Sequence, residues 1–190
     1  MANLTQGMVG YNLAHLQAVL AGDSDWIDIP YAVTIDPQID QQSTPLKADG
    51  KTATIAHGAP EGGGTIAFGA ITGTTVGLLS GARASTSGTG ATLIDRVEVL
   101  GDGVPPSLGL SGWIPNSDGN MLAAGLRLTL PNAQCSVPSG AYDQETFASQ
   151  TANLTFSADN NNVMQIYEFL AEEPEWDDGV MPVNLIAPTT

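Results

Sequence analysis

Met121–Asn160 reads MLAAGLRLTLPNAQCSVPSGAYDQETFASQTANLTFSADN, and its alternation decides the fold. In the first half Leu122, Ala124, Leu126, Leu128 and Leu130 hold the even positions, and Met121, Ala123, Gly125, Arg127 and Thr129 the odd ones. That period is a strand's, since successive side chains of a strand point to opposite faces. In the second half Ala148, Gln150, Ala152, Leu154, Phe156 and Ala158 alternate with Phe147, Ser149, Thr151, Asn153, Thr155 and Ser157. One face is largely apolar, and the other is mostly hydroxyl and amide. Pro138-Ser139-Gly140 and Asp143 supply turn chemistry between the halves, so the stretch predicts a long antiparallel pair closed by a broad loop. The odd face is expected to meet water or a polar partner.

Working outward, the composition agrees. The chain has 190 residues, enough for one core of ordinary size, and only 13% are charged. Abundant Gly, Ser, Thr and Ala with scattered Pro mark a turn-rich β protein. Twenty acids against five basic residues, Lys47, Lys51, Arg83, Arg96 and Arg127, leave a net charge of −15. Such a surface repels phosphate, which argues against binding nucleic acid by counterion release. It suits a surface that nucleic acid must slide past without sticking. The single Cys135 alternates with Ala133 and Val137, as a buried thiol would. No basic residue precedes Asp23 and no run of eighteen apolar residues occurs, so the expectation is a protein made and assembled in a cytosol, without a membrane partner.

Toward the N-terminus, Asn12–Ala21 places Leu13, Leu16, Val19 and Leu20 on one helical face before Gly22, and is read as either a short helix or an extended arm. His15 falls off that stripe and reads as a surface histidine. Ile27 to Asp36 alternates as a strand, with Pro30 marking an edge or a break. Asp36 to Gly50, DPQIDQQSTPLKADG, is too long and too polar for a simple connector, and is read as a long loop or extended arm. Thr52–His57 and Thr65–Ile71 are expected strands separated by a glycine-rich hairpin turn, Gly58–Gly64. Without a following Gly-Lys-Ser or Gly-Lys-Thr, Gly62-Gly63-Gly64 is no phosphate loop.

Thr74–Gly81 is expected to form a short helix capped by Thr74, with Val76, Leu78 and Leu79 inward, and Ala82–Ala91 a surface loop. Ile94–Leu100 reads as a strand with Val97 and Val99 inward, and Leu108 and Leu110 lead through another to Trp113. Gly109-Leu110-Ser111-Gly112 misses the spacing of a hydrolase elbow. Val163–Leu170 is the last strand, and the acids of Glu172–Asp178 lack the order of a calcium loop. No catalytic residue, metal ligand or cofactor site is expected. The domain reading is an N-terminal arm or short helix over 1–25, a β-sandwich over 26–170 and an acidic arm over 171–190.

Taken in order, these segments resemble the major tail tube proteins of long-tailed, non-contractile, siphovirus-like bacteriophages. The resemblance is carried by Val33-Thr34-Ile35-Asp36-Pro37-Gln38-Ile39-Asp40 and Leu46-Lys47-Ala48-Asp49-Gly50-Lys51. It continues in the glycine-rich strand and helix of Gly64–Gly81, and in Arg127–Asn132 leading to Thr151–Asp159. It covers roughly Gly10 to Leu170. It implies a mainly β chain, an antiparallel β-sandwich or partial barrel with one short helix, contributing strands to the inner barrel of a hexameric ring. Rings would stack into a tube that conducts the genome during ejection. A capsid decoration protein, a distal tail protein and, from another class, a small β-sandwich hydrolase are the alternatives.

The resemblance also implies that a long loop between early strands reaches the neighbouring ring. Here that segment comprises Asp36, Pro37, Gln38, Ile39, Asp40, Gln41, Gln42, Ser43, Thr44, Pro45, Leu46, Lys47 and Asp49. Ser149, Thr151, Asn153, Thr155 and Ser157 would form a polar face toward either the lumen or the outer wall. A ring of six chains would carry a formal charge of about −90, repelling DNA phosphates in the lumen. Ring closure would pair strand edges left open in a single chain. Implied partners are further copies of the chain, the tape-measure, tail terminator and distal tail proteins, and passing DNA held without tight binding. The implied place is the virion tail, assembled in the bacterial cytoplasm. Deleting Gln41–Leu46 is expected to leave a folded protein that no longer forms long tubes.

Overall fold

A computed structural model describes residues 13–41, 43–48, 51–116, 124–140 and 150–175, with backbone alone for 43–48, 51–57 and 95. The early strands are β1 (His15–Leu20), β2 (Ile27–Asp28), β3 (Ala32–Asp40), β4 (Ser43–Ala48), β5 (Lys51–His57) and β6 (Glu61–Phe68). Helix α1 (Gly73–Ser80) precedes β7 (Arg83–Ser87) and β8 (Ile94–Glu98). Then follow β9 (Leu108–Pro115), β10 (Gly125–Cys135), β11 (Gln150–Phe156) and β12 (Ile166–Leu170). The protein is mainly β, and its strand pairings are antiparallel.

Eight strands make the main sheet, in the order β2-β1-β9-β10-β11-β6-β3, with β12 also paired to β10. β2 and β3 stand at opposite ends of this path, yet only residues 29 to 31 separate them in the chain. Four residue steps span at most about 14 Å, so the two ends of the sheet must come close together. The sheet therefore curls into a partial barrel, and its concave face encloses the core. Pro30 and Tyr31 make the passage: Tyr31 has φ 63°, and its carbonyl accepts from the Gly69 amide at 2.9 Å. Pro30 thus marks a break.

Register places Leu16, Ala18, Leu108, Leu110, Leu128 and Leu130 on the concave face of one half, joined across a bulge in β10 by Ala133 and Cys135. β11 adds Ala152, Leu154 and Phe156, β6 adds Ile66 and Phe68, and α1 adds Leu79. Helix α1 is capped by the Thr72 hydroxyl, which accepts from the Thr75 amide at 3.2 Å, instead of by Thr74, and it ends at Gly81 in the left-handed conformation. Leu79 is buried as expected; Val76 and Leu78 are half-buried.

Several expectations are corrected. Residues 15–20 form a strand inside the sheet, neither helix nor arm. Leu16 and Ala18 face the core, and Gln17 and Val19 are buried on the opposite face. Of the two alternatives for the odd face, water or a polar partner, β10 has the second, supplied by the chain itself. Arg127 is only 11% exposed and pairs with Glu168 at 2.6 Å, and Thr129 is buried 3.4 Å from the Ser111 hydroxyl. The long β10–β11 pair is short. β11 takes only Ala133–Cys135, while Gly125–Thr129 pairs with β12 along the same edge.

Gly62-Gly63-Gly64 is no hairpin turn but the middle of β6, paired on both sides. A side chain at Gly62 would strike the Phe156 ring, and one at Gly64 would strike the Asp36 carbonyl, so glycine lets three strands meet there. The expected loop over 82–91 is largely strand β7, and Val99 is exposed instead of inward. Met164 packs on the core, whereas Tyr167 and Phe169 are exposed.

Candidate functional site

The expected loop over 36–50 is the first part of a two-stranded ribbon. β3 and β6 pair down to Asp40 opposite Glu61, and the ladder resumes beyond a joint with Ser43 opposite His57. It runs to Ala48 opposite Lys51, with Asp49-Gly50 between them, the pair of residues that two-residue hairpin turns favour. At the joint, the Gln41 side-chain amide donates to the Gly58 carbonyl at 3.2 Å, tying the two chains where the backbone ladder is interrupted. Among the described residues, β4 and β5 pair with each other and with no other strand. They form an arm continuous with the sheet but outside it.

Asp36, Pro37, Gln38, Ile39 and Asp40 therefore lie on β3, and Ser43, Thr44, Pro45, Leu46 and Lys47 on β4. Gln42 and Asp49 fall outside the described residues, as does Ser149. Pro37 and Pro45 are tolerated because β3 is the last strand of its path and β4 half of a lone pair, each with an edge that needs no donor.

Register brings Asp36 and Gln38 of the first expected group and Thr151, Asn153 and Thr155 of the second onto one convex face. Asp36 stands opposite Thr65, which stands opposite Asn153; Gln38 stands opposite Gly63, which stands opposite Thr155. Thr34, Ala67 and Thr151 make a third row. Thr151 is half-buried, and Asn153, Thr155 and Ser157 are exposed. The rows form a polar surface across β3, β6 and β11, with carboxylates at the β3 side and no cation in them. The Gln38 amide donates to Asp36 at 3.4 Å. Beyond the row of Gln38, Gly63 and Thr155, Asp40 and Glu61 stand directly opposite each other. Sequence reasoning missed that coupling. The Asp49-Gly50 pair was the signal, since it predicts a hairpin whose strands extend equally in both directions.

A cleft of about 260 Å³ is lined by Ser107, Asn132, Gln134, Thr155, Phe156 and Ser157. Asn132 accepts from Ser107 and donates to Ser157 at 2.8 Å, and Gln134 donates to the Pro105 carbonyl at 3.3 Å. Those amides spend their hydrogen bonds on the chain itself, clasping the strands beside the β10 bulge. Cys135 is buried, and burial pushes its thiol up to about 12, so it is no nucleophile at neutral pH. His15 lies 3.7 Å from Glu173 on the surface. Among the described residues no group of three metal-ligating side chains converges, and no helix is long and apolar enough to cross a membrane. No protein-family model matches the chain, and no curated protein matches it.

Proposed function

We propose that this chain is a structural subunit that polymerises, as stacked hexameric rings, into the tail tube of a long-tailed, non-contractile bacteriophage and so conducts the genome. The observation that carries this reading is the β4–β5 arm. An isolated two-stranded hairpin is at best marginally stable in water, so an arm that pairs, among the described residues, with no third strand calls for a surface on another molecule. The open edge of β3, at the end of its path, supports lateral pairing between copies, which leaves no edge exposed once a ring closes. The polar rows across β3, β6 and β11, which hold no cation, suit a wall past which DNA slides. The proposal gives the chain no catalytic role and no cofactor. It places the chain in the virion tail after assembly in the host cytoplasm, with tape-measure, terminator and distal tail proteins as its other partners.

Negative-stain electron microscopy of the purified protein over a concentration series tests it. Hollow rods of uniform diameter with a regular axial repeat are expected; a monomer or trimer at every concentration refutes it and favours a decoration protein. The structure also improves the loop deletion. Removing Gln41–Leu46 alone would leave β5 unpaired, whereas replacing residues 41–60 by Asn-Gly closes β3 and β6 as a two-residue hairpin at Asp40 and Glu61. That variant should fold and form no long rods.

A further inference from the structure

We propose that Arg83 of one copy of this chain seats between Asp40 and Glu61 of another, so that the β7–β8 ribbon and the acid pair of β3 and β6 are the two halves of a contact between copies. The inference rests on the assembly role above and names one of its contacts, away from the β4–β5 arm. It starts from the arginines. Arg127 is bound to Glu168 at 2.6 Å and Arg96 to Glu98 at 2.7 Å. Glu98 stands directly opposite Arg83 in the β7–β8 ladder, but its carboxylate is taken by Arg96. Among the described residues no ion pair involves Arg83.

The fold turns this guanidinium outward. Opposed residues of a ladder share a face, so Arg83 and Ser85 of β7 lie with Glu98 and Arg96 of β8, and Ala84 lies on the other side. Ala84 is the side that meets helix α1: a Cβ added at Gly77 would stand 3.3 Å from the Cβ of Ala84. The face with Arg83 therefore points away from α1. Every residue of β7 is exposed, and so is the Arg96 side chain. Among the described residues no third strand joins this ribbon. Two guanidinium groups against one carboxylate leave its outer face positive in a chain of net charge −15.

The acid pair has the opposite character. Asp40 and Glu61 are exposed and directly opposed, an arrangement of like charges that destabilises a ladder, and Asp36 lies on the same face of β3 four residues earlier. Among the described residues no ion pair involves any of the three. Opposed side chains leave the backbone from Cβ atoms about 5 Å apart, so the two carboxylates can converge on one group. A guanidinium fits there, because it is planar, always charged and carries donors enough for both. Charge also selects a second copy as the partner. Chains of −15 repel one another over most of their surfaces, and attraction is confined to the register that sets Arg83 against the acids. Each copy gives one patch and receives the other, a heterologous contact that closes into a ring or continues as a filament.

Reversal and cross-rescue test the contact. Arg83→Glu, and separately Asp40→Arg with Glu61→Gln, should each raise the protein concentration needed for rods by about tenfold or more, since like charges then meet at every contact. The altered side chains are exposed, so the far-UV spectrum and thermal transition of the subunit should stay in place. An equimolar mixture of the two should form rods at the wild-type concentration, because each variant offers the other a contact of opposite signs. Asp40→Asn with Glu61→Gln removes the repulsion within the subunit, so it should keep or raise the thermal midpoint and still lose rods. Rods of Arg83→Glu or of the neutralised pair at the wild-type concentration, or two folded reversal variants whose mixture does not recover them, overturn the contact while the tube role stands. Wild-type protein that forms no rods at any concentration overturns both.

Discussion

Replacing Ala18 by Leu tests the strand assignment of the N-terminal segment and the curl of the sheet together. An α-helix over Asn12–Ala21 would turn residue 18 away from Leu13, Leu16 and Leu20, where exchanging two strong helix formers changes stability by only a few tenths of a kcal/mol. In the structure Ala18 is fully buried on β1, opposite Leu110 of β9 on one side and Ile27 of β2 on the other. Three added carbon atoms have no room in a close-packed interior, and overpacking of this kind costs about 1–3 kcal/mol. For a domain of this size, that lowers the thermal midpoint by roughly 2–12 °C. Urea unfolding followed by far-UV circular dichroism measures the difference directly. Val104→Ser, at a position 79% exposed, serves as the control and should fall within about 0.5 kcal/mol of wild type. An Ala18→Leu protein as stable as wild type, or more so, would refute a core packed against both faces of β1's neighbours.

Two further outcomes follow from named contacts. Gly62→Val should destabilise by about 1–3 kcal/mol although valine is the better strand former, because the new side chain meets the Phe156 ring; a neutral or stabilising result in chemical denaturation would contradict the close approach of β6 and β11. Burial raises the Cys135 thiol from 9.0 to about 12. Both states are protonated below the lower value; above it the unfolded chain loses the proton first, so stability is complete below about pH 9 and falls by up to about 1.4 kcal/mol per pH unit until the native thiol ionises. Wild type compared with Cys135→Ala in urea between about pH 9 and about pH 11 should show this loss, and equal pH dependence in the two proteins would count against it. Native protein should also resist thiol reagents that label it readily once unfolded.

How much was legible depended on whether one face of a strand or two are buried. β11 has one buried face: Ala152, Leu154 and Phe156 lie inside while Asn153 and Thr155 are exposed, so its period shows plainly in the residues. β1 is buried on both faces, and with Leu16, Gln17, Ala18 and Val19 all inside, the alternation vanishes and a helical spacing appears by accident. The polar face of β10 misled for a related reason. Arg127 and Thr129 look like solvent-facing residues, but they are satisfied inside by Glu168 and Ser111. The glycine run signalled close backbone approach instead of a turn, and only its partners, Phe156 and Asp36, distinguish the two. In the arm, the polar composition and the prolines of β3 and β4 imitate a loop, since an edge strand facing solvent needs neither an apolar face nor every amide donor.

That imitation bears on the functional argument. Strand-forming residues normally order because burial offsets the conformational entropy lost, about 1–2 kcal/mol for each backbone residue. β4 and β5 bring thirteen residues into a ladder that, among the described residues, no third strand joins. Cross-strand hydrogen bonds contribute only about 0.5–1.5 kcal/mol net each, so by itself such a ribbon sits close to balance. A contact with a second molecule tips it toward order. On the proposed assembly role, the arm gains order where it docks on a second molecule. Amide hydrogen exchange would show it, with backbone protection over 43–57 low in the dispersed subunit and high in the rods. Equal protection in the two states would mean that the arm is stable without a partner.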